Sequence, residues 1–258
     1  MLASSTRRAS LPMSSTLVIQ SHRNPLPFSW LQRCLASVRD WAEVNRYDYR
    51  YLGDEIFAAL APEILDRTGA QRVIASDLAR LYCLRQGLDE GYACVVWCDA
   101  DFLIFDADRF ILPADEFALG REVWVQPDQR QRARAWVKVH NALLMFRRDN
   151  SFLDFYLATA ERLLRMNKGS MPPQYIGPKL LTAIHNIALC PVMETAGMLS
   201  PMVMRDCLAG GGDALQLFRR KSALAPAGAN LSSSLSLSEG LLETDMNKLI
   251  DLLLADGI

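Results

Sequence analysis

Residues 95–105 read VVWCDADFLIF. The first four are apolar, as in a strand covered on both faces, and two aspartates, Asp99 and Asp101, then interrupt the run before it resumes as Phe102, Leu103 and Ile104. A carboxylate taken out of water costs several kcal/mol unless something compensates it. Side chains two apart on a strand share a side, so the pair can converge on one object. A hard cation with oxygen ligands, Mn²⁺ or Mg²⁺, fits such a pair, because it fills its remaining positions with water and substrate phosphate. The plainer account is a capped strand end whose aspartates accept backbone amides in a turn.

Working outward, TLVIQ (16–20) reads as a first strand that ends in the polar Ser21, His22, Arg23 and Asn24. Leu31, Leu35, Val38 and Trp41 then recur at helical spacing, and YDYRYL (47–52) alternates as a second strand, with a helical stretch after it to about residue 66. A helix over 70–88 carries Ile74, Leu78, Leu81, Leu84 and Leu88 on one stripe. Beyond the acidic corner, EVWVQ (122–126) and NALLMFR (141–147) are expected strands, with an arginine-rich segment between them. Helices over about 150–166 and 173–186 follow, and from 190 the tail is poorly patterned. Strands alternating with helices predict an α/β sheet flanked by helices. Functional loops of such folds lie at the carboxyl ends of the strands, where Asp99 and Asp101 fall.

The chain has 258 residues, half of them hydrophobic and 22% charged, with a formal net charge of −1. That suits one large domain and gives no field that argues for a nucleic-acid partner. Locally, Arg130, Arg132, Arg134 and Lys138 cluster in RQRARAWVK, a segment that could receive an acidic or phosphorylated acceptor or be a solvated loop. The six cysteines show no repeated spacing. Cys94 and Cys98, on one strand, would lie roughly 13 Å apart, too far for a disulfide. Reduced thiols and a cytoplasmic setting are expected, with no structural zinc. Residues 1–15 read as a disordered segment without an apolar signal core, and no window reaches the ~18 apolar residues of a membrane span. SEGLLETDMNKLIDLLL, within 236–258, is an expected C-terminal amphipathic helix with Ser236 and Glu239 as a capping box.

Asp77 falls inside the apolar stripe of its helix, so its carboxylate points inward and needs donors, which Arg80 one turn on and ligand hydroxyls can supply. A structural Asp–Arg pair is the alternative. Together, Ser76, Asp77, Arg80, Asp99 and Asp101 in ASDLARLYCLRQGLDEGYACVVWCDADFLIF resemble the core of the DXD-type glycosyltransferases of the GT-A fold. The nearest look is to bacterial capsular-polysaccharide and mannosyltransferase-like enzymes and their clostridial toxin-glucosyltransferase relatives. HNALLMFRRDN, IGPKLLTAI and GANLSSSL are similar to later segments of that family, over about 16–235 of the chain. One departure is that only Gly91 stands for the family's glycine pair.

The resemblance implies a Rossmann-like mixed sheet with a helical C-terminal appendage and a metal-dependent transfer of a sugar from a nucleotide-diphosphate sugar to a saccharide or glycolipid. Retention of configuration is implied, and so is a place at the inner membrane face. By position, Asp99 and Asp101 would bind the metal, and Asp77 and Arg80 would hold sugar hydroxyls or phosphate. Gln20, Ser21 and His22 would edge the nucleobase. Asn141 would face the sugar, beside the turn of Gly177, Pro178, Leu181 and Thr182. Asn230 and Ser232 would sit in a loop that closes over the diphosphate, with Arg219, Arg220 and Lys221 as a phosphate clamp or a solvated patch. His140 and His185 are bases by type only. The rivals are an inactive relative that binds a nucleotide sugar or a partner, and a haloacid-dehalogenase-like phosphatase. The latter wants Thr or Val where Leu103 stands, and wants the motif on the first strand.

Overall fold

The computed structural model describes residues 16–69 and 71–258. The segment 1–15, expected to be disordered, lies outside them, as does Ala70, the expected start of the third helix. Six strands form the main sheet in the order β2-β1-β3-β6-β5-β7. They are β1 (Thr16–Ser21), β2 (Asp48–Leu52), β3 (Cys94–Cys98), β5 (Phe117–Pro127), β6 (Ala133–Arg147) and β7 (Val192–Met193). β2, β1 and β3 run parallel, joined through α1 (Trp30–Val44) and then through α2 (Pro62–Thr68) and α3 (Arg72–Asp89). β6 returns antiparallel to β3, which makes the sheet mixed.

Alternation along the strands builds a core on each face. Leu17, Ile19, Val95 and Trp97 point to one side, under α3, α4 (Ser151–Met166) and α5 (Pro178–Ala188). Val18, Cys94, Val96 and Cys98 point to the other, against Val38 and Trp41 of α1. The six cysteines are free, five of them buried within these layers or beside them. Asn150 starts α4 by accepting the amides of Phe152 and Leu153 at 2.8 and 3.0 Å.

Several expectations need correction. The short run after the corner, β4 (Phe102–Ile104), does not continue the main sheet. It pairs with β9 (Gly228–Asn230), which in turn pairs with β8 (Ala196–Met198), in a second, three-stranded sheet. The tail from 190 is therefore structured, with α6 (Pro201–Leu208) and α7 (Asp213–Lys221) between those strands. Its pattern is weak because its strands are only two or three residues long. The arginine-rich segment is a loop only over 130–132, since Ala133–Val139 belong to β6, and β5 with β6 forms a long hairpin whose tip is 128–132.

The C-terminal helix begins at Glu243 rather than Ser236. Ser236 lies in a separate short helix, α8 (Ser233–Ser238), where its hydroxyl donates to the Leu231 carbonyl, and Gly240 at φ +87° breaks the chain between the two. In α9 (Glu243–Asp256) the Leu242 amide donates to Asp245 instead. Met246, Leu249, Ile250 and Leu253 share a core with Trp30, Leu31 and Cys34 of α1, so this helix packs into the body.

Candidate active site

The parallel strands β1 and β3 end side by side, and their carboxyl ends open on a cleft of about 580 Å³. Ser21 at the end of β1 and His22 and Arg23 just after it line it, as do Arg80, Trp97, Asp99 and Asp101. The corner is fixed from three sides. The Asp99 amide donates to Ala142 of β6 at 2.8 Å, the Phe102 amide to the Asp99 carbonyl, and the Gln20 side chain to that same carbonyl at 3.1 Å.

Beneath Asp99 lies a buried charge network. Arg80, 7% exposed, bridges Asp77 at 3.2 Å and Asp99 at 3.1 Å, and donates to the Asn141 carbonyl at 2.6 Å. Its guanidinium stacks 5.3 Å from the Trp97 ring, whose indole N–H donates to Asp99 Oδ1 at 2.7 Å. The Asn141 amide donates to Asp77 Oδ1 at 2.8 Å. One oxygen, Asp77 Oδ2, and one nitrogen, Arg80 Nε, are buried without a protein partner. Burial pushes the Asp77 carboxyl up to about 6, against the pull of Arg80 and Asn141. The inward Asp77 is thus paired with Arg80, and Asn141 joins them.

Asp101 faces the second sheet. Its Oδ1 accepts from Asn230 at 2.5 Å and its Oδ2 from the Ser233 amide at 2.8 Å, while its carbonyl takes the Leu231 amide. Burial and the neighbouring Asp99 raise its pKa, and the bonds from Ser233 and Asn230 oppose that rise. The segment 230–234 is therefore latched onto the acidic corner. Asp99 is 26% exposed and its bonds to protein use Oδ1, which leaves Oδ2 for a ligand.

Gly177 and Pro178 open α5 directly over the network. A Cβ at Gly177 would stand 2.6 Å from Asp77 Oδ2 and 2.7 Å from Asn141 Nδ2. Gly177→Ala is expected to destabilise the protein by about 1–3 kcal/mol through overpacking, measurable as a lowered urea midpoint. An unchanged midpoint would mean that α5 is free to shift.

Other expected residues sit elsewhere. Gln20 is fully buried, bonded to Tyr49 and the Asp99 carbonyl, so it braces the corner instead of edging the cleft. The Ser232 hydroxyl and amide turn inward to Leu199 and Asn230, and its neighbour Ser233 supplies the contact to Asp101. Arg219, Arg220 and Lys221 are exposed at the end of α7, outside the cleft lining. His140 is fully buried between the Ala196 carbonyl and the Ala142 amide, and burial lowers its pKa to about 4. Gly120, whose Cβ would stand 2.1 Å from that ring, makes room for it at a β-bulge. His140 is thus a neutral structural side chain, and His185 on α5 does not line the cleft.

Trp97, Ser233, Phe57 and Arg72 were not anticipated. Trp97 was legible, since it precedes Asp99 by two on the face that meets α3. Arg72, ion-paired to Asp54 at 3.0 Å and stacked 4.7 Å from Phe57, forms a cationic and aromatic wall of the cleft that no motif announces.

Among the described residues no group of three or more His, Cys, Asp or Glu side chains converges as a metal cluster, and no helix is long and apolar enough to cross a membrane. No protein-family model and no curated protein matches the sequence. In structure the chain is similar to a glycosyltransferase involved in the glycosylation of the major capsid of PBCV-1, at 8% identity and a TM-score of 0.47 over 92% of this chain and 99% of that one. It is also similar to the galactosyltransferase LgtC, solved with donor and acceptor sugar analogues, at 14% identity and a TM-score of 0.45 over 92% and 95% of the two chains. At these values neither similarity transfers a residue role to this chain.

Proposed function

We propose that the chain is a GT-A-like glycosyltransferase that moves a sugar from a nucleotide-diphosphate sugar to a saccharide or glycolipid acceptor, with retention of configuration and with Mn²⁺ or Mg²⁺ at Asp99 and Asp101. The observation that carries this reading is one cleft in which two carboxylates stand above a buried Asp77–Arg80–Asn141 network. A site for a neutral ligand has no use for that much charge, which costs stability wherever it is not compensated.

The residues fit a hard cation. Asp99 Oδ2 carries no bond to protein, and each Asp101 oxygen has a second lone pair beyond its bond to Asn230 or Ser233. Two carboxylates suffice for such an ion when water and phosphate oxygens complete its shell, so the lack of a third protein ligand among the described residues is compatible. When bound, the ion supplies charge neutralisation to a departing diphosphate.

The chain's own groups do the rest. Arg80 fixes Asp99 in register and holds positive charge beside the leaving group. Asp77, buried beneath Gly177 and outside the cleft lining, acts through Arg80, which it holds beside Asp99. Ser21, His22, Phe57 and Arg72 form the wall for the nucleoside and its phosphates. The carboxylates of the cleft are already engaged, Asp54 with Arg72 and Asp99 with Arg80, and His140 is sealed away. His22 remains on the cleft wall with only its Nδ1 near the Arg23 carbonyl, so retention is carried by the family resemblance and not by the set of bases.

The test is a thermal-shift screen of UDP, GDP and their sugar conjugates with and without Mn²⁺, on wild type and Asp101→Asn. One nucleotide should stabilise the wild type by about 2.7 kcal/mol at a hundred times Kd, only with Mn²⁺, and the variant much less. Binding without product release in a coupled assay would support an inactive relative. No shift with any nucleotide would reduce both aspartates to turn residues.

A further inference from the structure

The long β5–β6 hairpin does more than the sheet requires. It parts from the main sheet at the catalytic corner, where Ala142 accepts the Asp99 amide, and runs about 25–30 Å farther to its tip. On one face Val123, Val125, Ala133 and Ala135 pack under α6, α7 and α9. The opposite face holds Trp124 opposite Trp136 and Gln126 opposite Arg134. The Arg134 guanidinium lies over the Trp136 ring at 5.2 Å, and the Trp124 indole is pinned to Gln126 at 3.0 Å. Around the tip, Gln126, Arg130, Arg132, Arg134 and Trp136 line a concavity of about 430 Å³. Arg132 is paired with Asp128. Among the described residues neither Arg130 nor Arg134 has a carboxylate within ion-pair distance.

We propose that this face is a docking platform for an anionic glycan, a carboxylated or phosphorylated saccharide polymer, which on the glycosyltransferase reading is the acceptor. The half-buried Trp124 and Trp136 give the face apolar surface for a saccharide, and Arg134 held over Trp136 and Arg130 at the tip, neither with a carboxylate partner among the described residues, supply charge complementarity to an acidic substituent. An anionic bilayer is the lesser fit. The tip, Asp128-Gln129-Arg130-Gln131-Arg132, has no apolar side chain to insert, and both tryptophans lie half-buried along the sheet. The distance from the corner selects a polymer, whose distant units bind here while its growing end reaches the cleft.

Affinity electrophoresis of the full chain through gels containing polygalacturonate, dextran or polyglutamate tests this, together with sedimentation on vesicles of phosphatidylcholine with phosphatidylglycerol. Polygalacturonate should retard the wild type, neutral dextran should not, and added salt should release it. Trp136→Ala and Arg134→Ala should each weaken retardation about tenfold. Arg130→Ala, at an exposed position, guards against a folding defect in the hairpin and should weaken it as well, all variants being checked for an unchanged melting temperature. Equal retardation by polyglutamate, capture by vesicles in place of the glycan, or no effect of the three variants would overturn the proposal. The same preparations are assayed for the nucleotide-dependent melting shift. Glycan binding that persists without that shift would leave the platform standing and remove the donor reading.

Discussion

Arg80→Met is expected to lower stability by about 3–5 kcal/mol and to abolish nucleotide-dependent stabilisation with it. Methionine preserves much of the buried stem's packing. What it removes is the only cation that touches both Asp77 and Asp99 among the described residues, at 3.2 and 3.1 Å. It also strands the Asn141 carbonyl, which takes the 2.6 Å bond from Arg80. Two carboxylates then face each other with a single amide donor on one and an indole on the other. Arg80→Lys should fall between, because an ammonium is a point donor and does not span three acceptors as the planar fork does. Urea unfolding of the three proteins checks the order. A loss below about 1 kcal/mol for methionine would mean that the aspartates are neutralised without Arg80.

The contrast between what could and could not be read from the sequence follows a physical line. β1, β3 and the inner part of β6 are buried on both faces, so their apolar runs are continuous and unmistakable. The helix with Asp77 was legible as an apolar stripe with one polar intruder, and the intruder is where the network formed. Strands of two or three residues leave no period to detect, which is why β7, β8 and β9 were invisible and the tail looked unpatterned. The hairpin was misjudged for a different reason. Arg130 and Arg132 do lie in the turn at its tip, but Arg134 and Lys138 lie on a strand, and charge alone does not mark where the strand begins.

The candidate site divides in the same way. Asp77, Arg80 and Asn141 come together because they sit on α3 and β6, whose side-chain directions are fixed by period, and Asp99 and Asp101 lie in the turn that directly follows the continuous apolar run of β3. Gln20 was misplaced because a strand end does not reveal how deep its last side chain lies. It is covered by Tyr49 from β2, a contact across strands. Ser233 and Arg72 act through the folded positions of a strap and a helix start, which local sequence does not encode.

Asp77→Asn should change the pH dependence of stability in a definite direction. Asp77 titrates near 3.8 when unfolded and at about 6 in the fold, so the fold binds the proton more tightly. Between those values the folded state carries more protons than the unfolded one, and stability falls as pH rises. The contribution is fully present below the unfolded value and lost through about pH 6, above which the ionised carboxylate costs about 3 kcal/mol at most. Asparagine keeps an oxygen for the Asn141 amide and has nothing to titrate. Asp101 is also raised, but it is common to both proteins and cancels in their difference. With metal removed by chelation, the variant's melting temperature should gain on the wild type between pH 4.5 and 8 by about 2 kcal/mol, on the order of 4–8 °C. The reverse trend would mean that attraction to Arg80 outweighs burial and that Asp77 is ionised across the whole range, which would make the buried pair a stabilising feature and not one that costs stability.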